Sequence, residues 1–345
     1  MVIERRFFVL PPQQIHPYIA AYIGFAIFKN SQLRHPKEQS HVAKLIIGSR
    51  GSKLALTQTH HMRDQLYSLH ADLEVEVEII RTVGDVNRAP LRSFGGQGVF
   101  TKELENALLD GRVDLAVHSL KDLPTRFHAD LDIIATPPRE DVRDALIADA
   151  SHPTLSQLPQ GALVGTGSPR RQTQLRALRP DLELTEIRGN LDTRIDKVNR
   201  GECSAIVLAA AGLHRLGWQH HISAYLSPEE MLPAAGQAAL GLQMRRDHPL
   251  KEYVAALDDA ETHHSVRAER SLLRTLRGGC HAPVAAWGRI EDGQLVLDGR
   301  VGHSSGTPLL HAQLKGAVGE DEELGIALAD ELRALGADEI IESAQ

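Results

Sequence analysis

Residues 163–178 read Leu-Val-Gly-Thr-Gly-Ser-Pro-Arg-Arg-Gln-Thr-Gln-Leu-Arg-Ala-Leu, and this stretch decides the fold class. The apolar run 163–165 is typical of a short buried strand. Ser168 and Pro169 are residue types that open helices, and residues 170–178 continue as a helical pattern. The stretch therefore predicts a strand that passes directly into a helix, the repeating unit of an α/β sheet.

The same alternation continues on both sides of this unit. Further strands are predicted at 44–48, 75–82, 113–118, 182–187 and 205–210, and further helices at 52–69, 102–109 and 193–199. Short connections between alternating elements predict parallel α/β domains. The last segment differs, because a helix at 266–277 precedes a hairpin at 284–290 and 295–301 and a final helix at 322–335. This order predicts a small α+β domain.

Composition limits the classes of function. The chain has 345 residues of which 42% are hydrophobic, enough for more than one core. A net charge of -7 with only 4% aromatic residues argues against nucleic acid as a partner. The two cysteines, Cys203 and Cys280, cannot build a disulfide framework, and they suit a reducing cytoplasm. The sequence carries no zinc-binding pattern, so we expect no metal.

The first 43 residues do not share the regular pattern. Their two apolar runs are each shorter than the roughly 18 residues needed to span a bilayer, so we expect no membrane association. A signal peptide is an alternative because Arg5 and Arg6 precede the first run, but Pro11 and Pro12 interrupt it. We interpret residues 1–43 as an extension that is either disordered or the result of a translation start assigned too far upstream.

The turn between strand 163–165 and its helix predicts an anion site. Free backbone N–H groups and the positive end of the helix dipole meet there, and Arg170 and Arg171 add planar guanidinium groups that bind carboxylates or phosphates in bidentate fashion. The alternative is a solvated basic turn. Its position directly after a buried strand favours a ligand site.

Arginines recur at similar junctions elsewhere in the chain. They are Arg50, Arg188, Arg194 and Arg215. A single arginine of this kind is ordinary surface, but several in a chain of negative net charge predict a local positive cleft for a ligand with many carboxylates. A nucleotide phosphate is less well supported, because neither a Walker lysine nor a dinucleotide glycine fingerprint is present.

Two further segments carry candidate catalytic groups. Lys121 and Asp122 follow a strand end, where a carboxylate can project into a cleft, although an exposed turn before Pro124 explains the pair equally well. His118 lies within the strand and is interpreted as a satisfied interior residue.

Cys280 follows two glycines on a loop that leaves its thiol accessible, whereas Cys203 precedes an apolar strand and is interpreted as inert. The glycine-rich loop 93–98 is a candidate lid.

Six ordered motifs together resemble the porphobilinogen deaminase (hydroxymethylbilane synthase) family from about residue 44 to the C-terminus. They lie at 116–124, 165–172, 184–194, 209–217, 232–241 and 278–283. The resemblance implies two periplasmic-binding-protein-like α/β domains, with the chain crossing twice between them, and a small α+β C-terminal domain. It places domain 1 at 44–140 and 235–257, domain 2 at 141–234 and domain 3, with the cofactor cysteine, at 258–345.

The resemblance also implies the roles of individual residues. Asp122 is expected to be the catalytic carboxylate, and Cys280 to carry a dipyrromethane cofactor through a thioether. Binding of the cofactor is expected from Lys121, Ser168, Arg170 and Arg171. Binding of substrate and growing oligopyrrole is expected from Arg50, Ser52, Arg188, Arg194 and Arg215.

The implied reaction is a stepwise condensation of four porphobilinogen molecules with loss of ammonia, followed by hydrolysis to hydroxymethylbilane. The implied setting is tetrapyrrole (haem) biosynthesis by a cytoplasmic monomer, with hand-off of the product to uroporphyrinogen-III synthase. Two alternatives come from other classes of protein. A two-lobed solute-binding protein for a polycarboxylate predicts an export signal and no reactive thiol, and a cysteine hydrolase needs a general base that His281, adjacent in the chain, is poorly placed to supply.

Overall fold

The computed structural model describes residues 42–82, 101–278 and 282–344. The strands are β1 Ala43–Ser49, β2 Leu73–Ile79, β3 Leu115–Ser119, β4 Leu131–Ala135, β5 Asp144–Ala148, β6 Leu163–Gly165, β7 Glu183–Thr185, β8 Ala205–Ala209, β9 Ala224–Leu226, β10 Leu240–Arg245, β11 Val284–Glu291, β12 Gln294–Gly302 and β13 Leu309–Ala317. The α-helices are α1 Lys53–Leu69, α2 Lys102–Leu109, α3 Pro169–Leu178, α4 Leu191–Asn199, α5 Ala210–Arg215, α6 Lys251–Ala255, α7 Ala260–Thr275, α8 Asp321–Ala334 and α9 Ala337–Ser343. No helix in these ranges combines the length and apolar character that crossing a membrane requires.

The first sheet has the strand order β2-β1-β3-β10-β4. β1 is parallel to β2 and β3, whereas β10 is antiparallel to β3 and β4. The apolar side chains of β1, β3 and β10 form one core with Met62 and Leu66 of α1. Strand β2 begins at Leu73 and ends at Ile79, earlier than the predicted 75–82. Its alternation of glutamate with apolar residues identifies a strand but does not mark where pairing with β1 begins.

The second sheet has the order β7-β6-β8-β5-β9 and forms from the middle of the chain. β6 is parallel to β7 and β8, and β5 is antiparallel to β8 and β9. The prediction of parallel α/β domains is therefore wrong in part, because each sheet contains one antiparallel strand, and neither β10 nor β5 was among the predicted strands. Strands β5 and β10 are buried along almost their whole length, and a continuous apolar run carries no signal of strand direction.

The third sheet is an antiparallel meander, β11-β12-β13. One face packs on α7, α8 and α9 through a core that includes Leu272, Leu297 and Leu328. The predicted hairpin is confirmed at β11 and β12. The prediction missed β13, which adds nine residues of regular pairing with β12. The small α+β C-terminal unit thus contains one strand more than predicted.

The chain passes twice between the first two sheets, as expected. It leaves the first sheet after β4 through residues 136–143, here called the outgoing segment, and returns to β10 through residues 227–239, the return segment. The fully buried Glu269 of α7 holds both. Its carboxylate accepts hydrogen bonds from the Arg139 guanidinium at 2.5 Å, from the Gly236 N–H at 2.6 Å and from the Gly288 N–H of β11 at 2.7 Å. One carboxylate therefore joins both segments to the third sheet.

Candidate active site

The candidate site begins at the carboxyl end of β3. The strand continues into a single turn of 3-10 helix, Leu120–Asp122. Leu120 is buried and anchors the turn, while the Asp122 side chain is exposed. A carboxylate therefore projects from a rigid strand end, the position that the sequence predicted for it.

A cavity of about 90 Å³ lies next to this turn. The end of β3 in the first sheet and helices α1, α4 and α5 contribute to its lining. The cavity is therefore lined from the parts of the chain that form both five-stranded sheets. Its charged lining consists of Lys121, Arg171, Arg194 and Arg215, and no carboxylate is among the described residues that line it. The cavity is therefore a cationic recess that suits a ligand carrying several carboxylates.

The structure uses the arginine pair of α3 differently from the prediction. The buried Asp144 of β5 accepts from Arg170 Nη2 at 2.7 Å and from Arg171 Nη2 at 2.7 Å and Nε at 3.2 Å. Arg170 also donates to the Leu232 carbonyl at 2.6 Å, and it does not line the cavity. The expected ligand-facing pair is thus a buried ion cluster in which only Arg171 also reaches the cavity.

Asp144 is ionised in this cluster. Burial by itself raises the pKa of this carboxyl, but the two arginines outweigh that effect and hold the pKa well below its ordinary value. The sequence could not reveal this partner, because Asp144 precedes the arginines by 26 and 27 residues. Only the pairing of β5 with β8 brings the carboxylate beneath the start of α3.

Lys121 is a buried cation of the cavity with a strongly lowered pKa. Burial, followed by the charge of Arg171, lowers its pKa from 10.5 to about 8 in spite of the opposing effect of Asp122 and Asp144. Its Nζ donates to the Gln237 amide oxygen at 3.4 Å. A ligand carboxylate placed in the cavity would offset the desolvation effect by its opposite charge and stabilise the charged amine.

Arg194 and Arg215 are partly buried cations of the same kind. Burial lowers the pKa of Arg194, and the neighbouring Arg171 adds to the effect. Burial also lowers the pKa of Arg215 to about 10. The two guanidinium groups donate to main-chain oxygens, Arg194 to Gly189 at 2.7 Å and Arg215 to Ala238 at 2.5 Å. Their positive charges are therefore only partly compensated within the described protein.

The other predicted binding residues lie outside the cavity lining. They are Arg50, Ser52, Ser168 and Arg188. Ser52 is the N-cap of α1 and accepts from the Ala55 N–H at 3.3 Å, and Ser168 is the N-cap of α3 without a side-chain capping bond. Arg188 contacts the Glu186 carboxylate at 2.5 Å. The structure thus brings Lys121, Arg171, Arg194 and Arg215 together in the lining, and these four are not part of it.

Gln58 and Ser119 line the cavity but were missed in the sequence. The Gln58 amide nitrogen donates to the Ser119 hydroxyl at 3.1 Å, which links α1 to the end of β3. An amide inside an amphipathic helix gives no distinctive sequence signal. His118, by contrast, is a satisfied interior residue as predicted, because it is buried, contacts the Gln243 amide oxygen at 3.0 Å and has a pKa lowered by burial to about 4.

The predicted cofactor cysteine and the predicted lid lie outside the described residues. They are Cys280 and loop 93–98. Cys203 is buried, and burial raises the pKa of its thiol, which agrees with an inert role. Within the described ranges, no group of three or more histidine, cysteine or acidic side chains could hold a metal ion.

Two sheets joined by a double crossover, with a cationic recess lined from both, define an α/β protein whose site suits a polyanionic small molecule. The family sequence model described as "Porphobilinogen deaminase, dipyromethane cofactor binding domain" matches residues 45–252, and that of the C-terminal domain matches residues 264–334. The chain belongs to the porphobilinogen deaminase family, whose members are transferases of tetrapyrrole synthesis.

Curated relatives match over most of their length. The porphobilinogen deaminase of Syntrophobacter fumaroxidans is 45% identical over 298 residues, covering 86% of this chain and 96% of that protein. That of Roseiflexus is 47% identical, covering 84% of this chain and 95% of that protein. Among solved structures, an arginine-specific periplasmic binding protein of Salmonella typhimurium aligns with 62% of this chain and 91% of its own chain. The TM-score is 0.37 and the identity 10%, which is too weak a likeness to support a conclusion.

Proposed function

We propose that this chain condenses four porphobilinogen molecules head to tail, releases ammonia at each step and hydrolyses the product to hydroxymethylbilane. The observation that carries the proposal is the cavity lined by four cations and no described carboxylate, beside the exposed Asp122. Each porphobilinogen carries an acetate and a propionate, so the growing chain brings many like charges into one cleft. Cationic side chains are needed to offset their mutual repulsion.

The family implies a dipyrromethane cofactor, and the residues present suit it. Lys121, Arg194 and Arg215 all have pKa values lowered chiefly by burial, so the negative charge of an acidic ligand would compensate for the cost of burying these cations. We propose that the cofactor is attached to Cys280 and held by Lys121 and Arg171, with further support from Ser168 and Arg170. When bound, it supplies a terminal pyrrole with a nucleophilic α-carbon.

The chain's own residues have separate tasks. Loss of ammonia from the aminomethyl group of porphobilinogen leaves positive charge on the pyrrole nitrogen. An ionised Asp122 accepts a hydrogen bond from that N–H, stabilises the charge and assists proton transfer. Arg194 and Arg215 bind the acetate and propionate groups and orient the ring, and Arg50, Ser52 and Arg188 are assigned to carboxylates of the longer intermediates.

The three sheets support a division into domains at 44–140 with 235–257, at 141–234 and at 258–345. Residues 1–43 stay assigned to an extension, although β1 already includes Ala43. Movement about the outgoing and return segments would admit each new substrate. We propose that the enzyme is a cytoplasmic monomer that passes its product to uroporphyrinogen-III synthase, without membrane or nucleic-acid partners.

Intact mass spectrometry tests this proposal. The purified protein should weigh more than its polypeptide by one dipyrromethane and give a colour with an acidic aldehyde reagent for pyrroles, while Cys280→Ala should show neither. Cys203→Ala is the matched control and should keep both. A wild-type protein that turns over porphobilinogen while carrying no adduct would refute the assignment of Cys280. A protein with no turnover that binds polycarboxylates would instead support the solute-binding alternative.

A further inference from the structure

Two adjacent residues at the end of α5, His214 and Arg215, contact both crossing segments. His214 contacts Glu140 of the outgoing segment, and Arg215 contacts Ala238 of the return segment. Arg215 also lines the cavity, whereas His214 does not. The end of α5 therefore joins the ligand recess to the segments about which the two sheets are connected.

The carboxylate of Glu140 lies close to Arg215 but is bound elsewhere. The Glu140 N–H donates to the Ala238 carbonyl at 3.3 Å, and Arg215 Nη2 donates to the same oxygen at 2.5 Å. Two donors on one oxygen place the Glu140 main chain within a few ångströms of the Arg215 guanidinium. Glu140 is also the carboxylate whose charge acts on the pKa of Arg215. It is thus positioned to compete with a ligand carboxylate for that cation.

His214 holds this carboxylate. Its Nδ1 lies 3.1 Å from Glu140 Oε1, and the same oxygen accepts the Asp141 N–H at 2.9 Å. Its Nε2 lies 2.9 Å from the Tyr225 hydroxyl, which fixes the plane of the imidazole. An imidazole protonated at Nδ1 can donate to Glu140 while it accepts from Tyr225. Both ring nitrogens of His214 therefore have partners that suit one orientation of the ring.

We propose that His214 is a positioning residue that holds the Glu140 carboxylate away from Arg215, so that the Arg215 guanidinium stays available to carboxylates of porphobilinogen. Without the imidazole, Glu140 turns towards Arg215 and forms an internal ion pair. The ligand then competes with a tethered carboxylate at high effective concentration. The inference rests on the proposed function, in which Arg215 binds substrate.

Steady-state kinetics with porphobilinogen on the holoenzyme test the proposal through four variants. His214→Ala should raise KM about fivefold, the scale of a partly exposed ion pair, and leave kcat within about twofold, because chemistry at Asp122 is untouched. Glu140→Gln alone should leave KM unchanged. The double variant should recover the wild-type KM, since a neutral amide cannot compete for Arg215. His263→Ala is the control, because it removes another histidine–carboxylate contact, the one with Asp258 at 2.9 Å. This variant should change neither KM nor kcat.

A second measurement does not depend on turnover. A neutral vicinal dicarbonyl reagent modifies accessible guanidinium groups, and peptide mass spectrometry reports the rate at Arg215. That rate should fall in His214→Ala and recover in the double variant. His214→Gln, whose amide can still donate to Glu140, should behave as wild type and separates loss of this contact from general loss of fold.

The outcomes separate the inference from the function on which it rests. A wild-type enzyme without porphobilinogen turnover contradicts the proposed function. An active wild-type enzyme whose KM rises in Arg215→Gln but not in His214→Ala overturns the inference alone. Equal KM values for His214→Ala and the double variant also overturn it, because His214 would then act through packing and not through Glu140.

Discussion

Replacing the buried Asp144 by asparagine should cost more stability than any single surface ion pair in this protein. The carboxylate accepts four hydrogen bonds, three from the arginine pair at 2.7–3.2 Å and one from Gln237 Nε2 at 3.0 Å. Asp144→Asn keeps the shape but removes the charge and turns an N–H towards a guanidinium. Arg170 and Arg171 are then buried without a counterion.

The expected loss is about 3–5 kcal/mol in the free energy of unfolding, the range found when one partner of a buried ion pair is removed. Equilibrium urea unfolding followed by circular dichroism at neutral pH measures it. The control is Glu76→Gln, because Glu76 contacts Lys44 at 2.8 Å with both side chains about half exposed. That exposed, solvent-screened pair should contribute far less to the free energy of unfolding.

The pH dependence provides an independent check. The folded-state pKa of Asp144 lies below its unfolded value of 3.8, so its contribution is complete above that value and disappears as the pH falls towards the folded-state pKa. The difference between wild type and Asp144→Asn should be constant from about pH 8 to pH 5 and shrink in stronger acid. A loss no larger than that of Glu76→Gln would refute the view that this cluster is buried and charged.

Three further predictions follow from the site. Lys121 has a folded-state pKa of about 8 against 10.5 in the unfolded chain. Between these values the unfolded chain binds more protons than the folded protein, so stability rises with pH. The urea midpoint of the ligand-free protein should therefore rise from pH 8 to 10, and Lys121→Met should abolish that rise. Ala238 has a φ of +71°, a conformation that glycine adopts without strain. Ala238→Gly should therefore raise the free energy of unfolding by up to about 1 kcal/mol. Ala239 is a buried neighbour without positive φ, and Ala239→Gly should lower the free energy of unfolding. Asp122→Asn should leave the urea midpoint unchanged but slow turnover on the order of 100-fold or more; wild-type-like turnover would contradict the catalytic role.

Local sequence patterns predicted most of the strands and helices, because hydrophobic period and capping residues act within a few positions. The strand Leu163–Gly165 was predicted with its observed bounds. The helix predicted from Ser52 begins at Lys53, with Ser52 as its N-cap. Strand direction was not accessible in this way. β10 pairs antiparallel with β3 and β4, and nothing in the run Leu240–Arg245 records that direction.

For the candidate site too, some features depend on local sequence and others on tertiary structure. The sequence by itself identified the family, the strand end bearing Asp122 and the cationic side chains, because these depend on residue type and order. Tertiary structure alone decided which cations face the recess, because burial and pairing depend on partners distant in the chain. Asp144 binds Arg170 and Arg171 from another strand, and Glu140 reaches the end of α5 across 74 positions. Charge is encoded locally, but compensation of charge requires the folded chain to bring the counterion close.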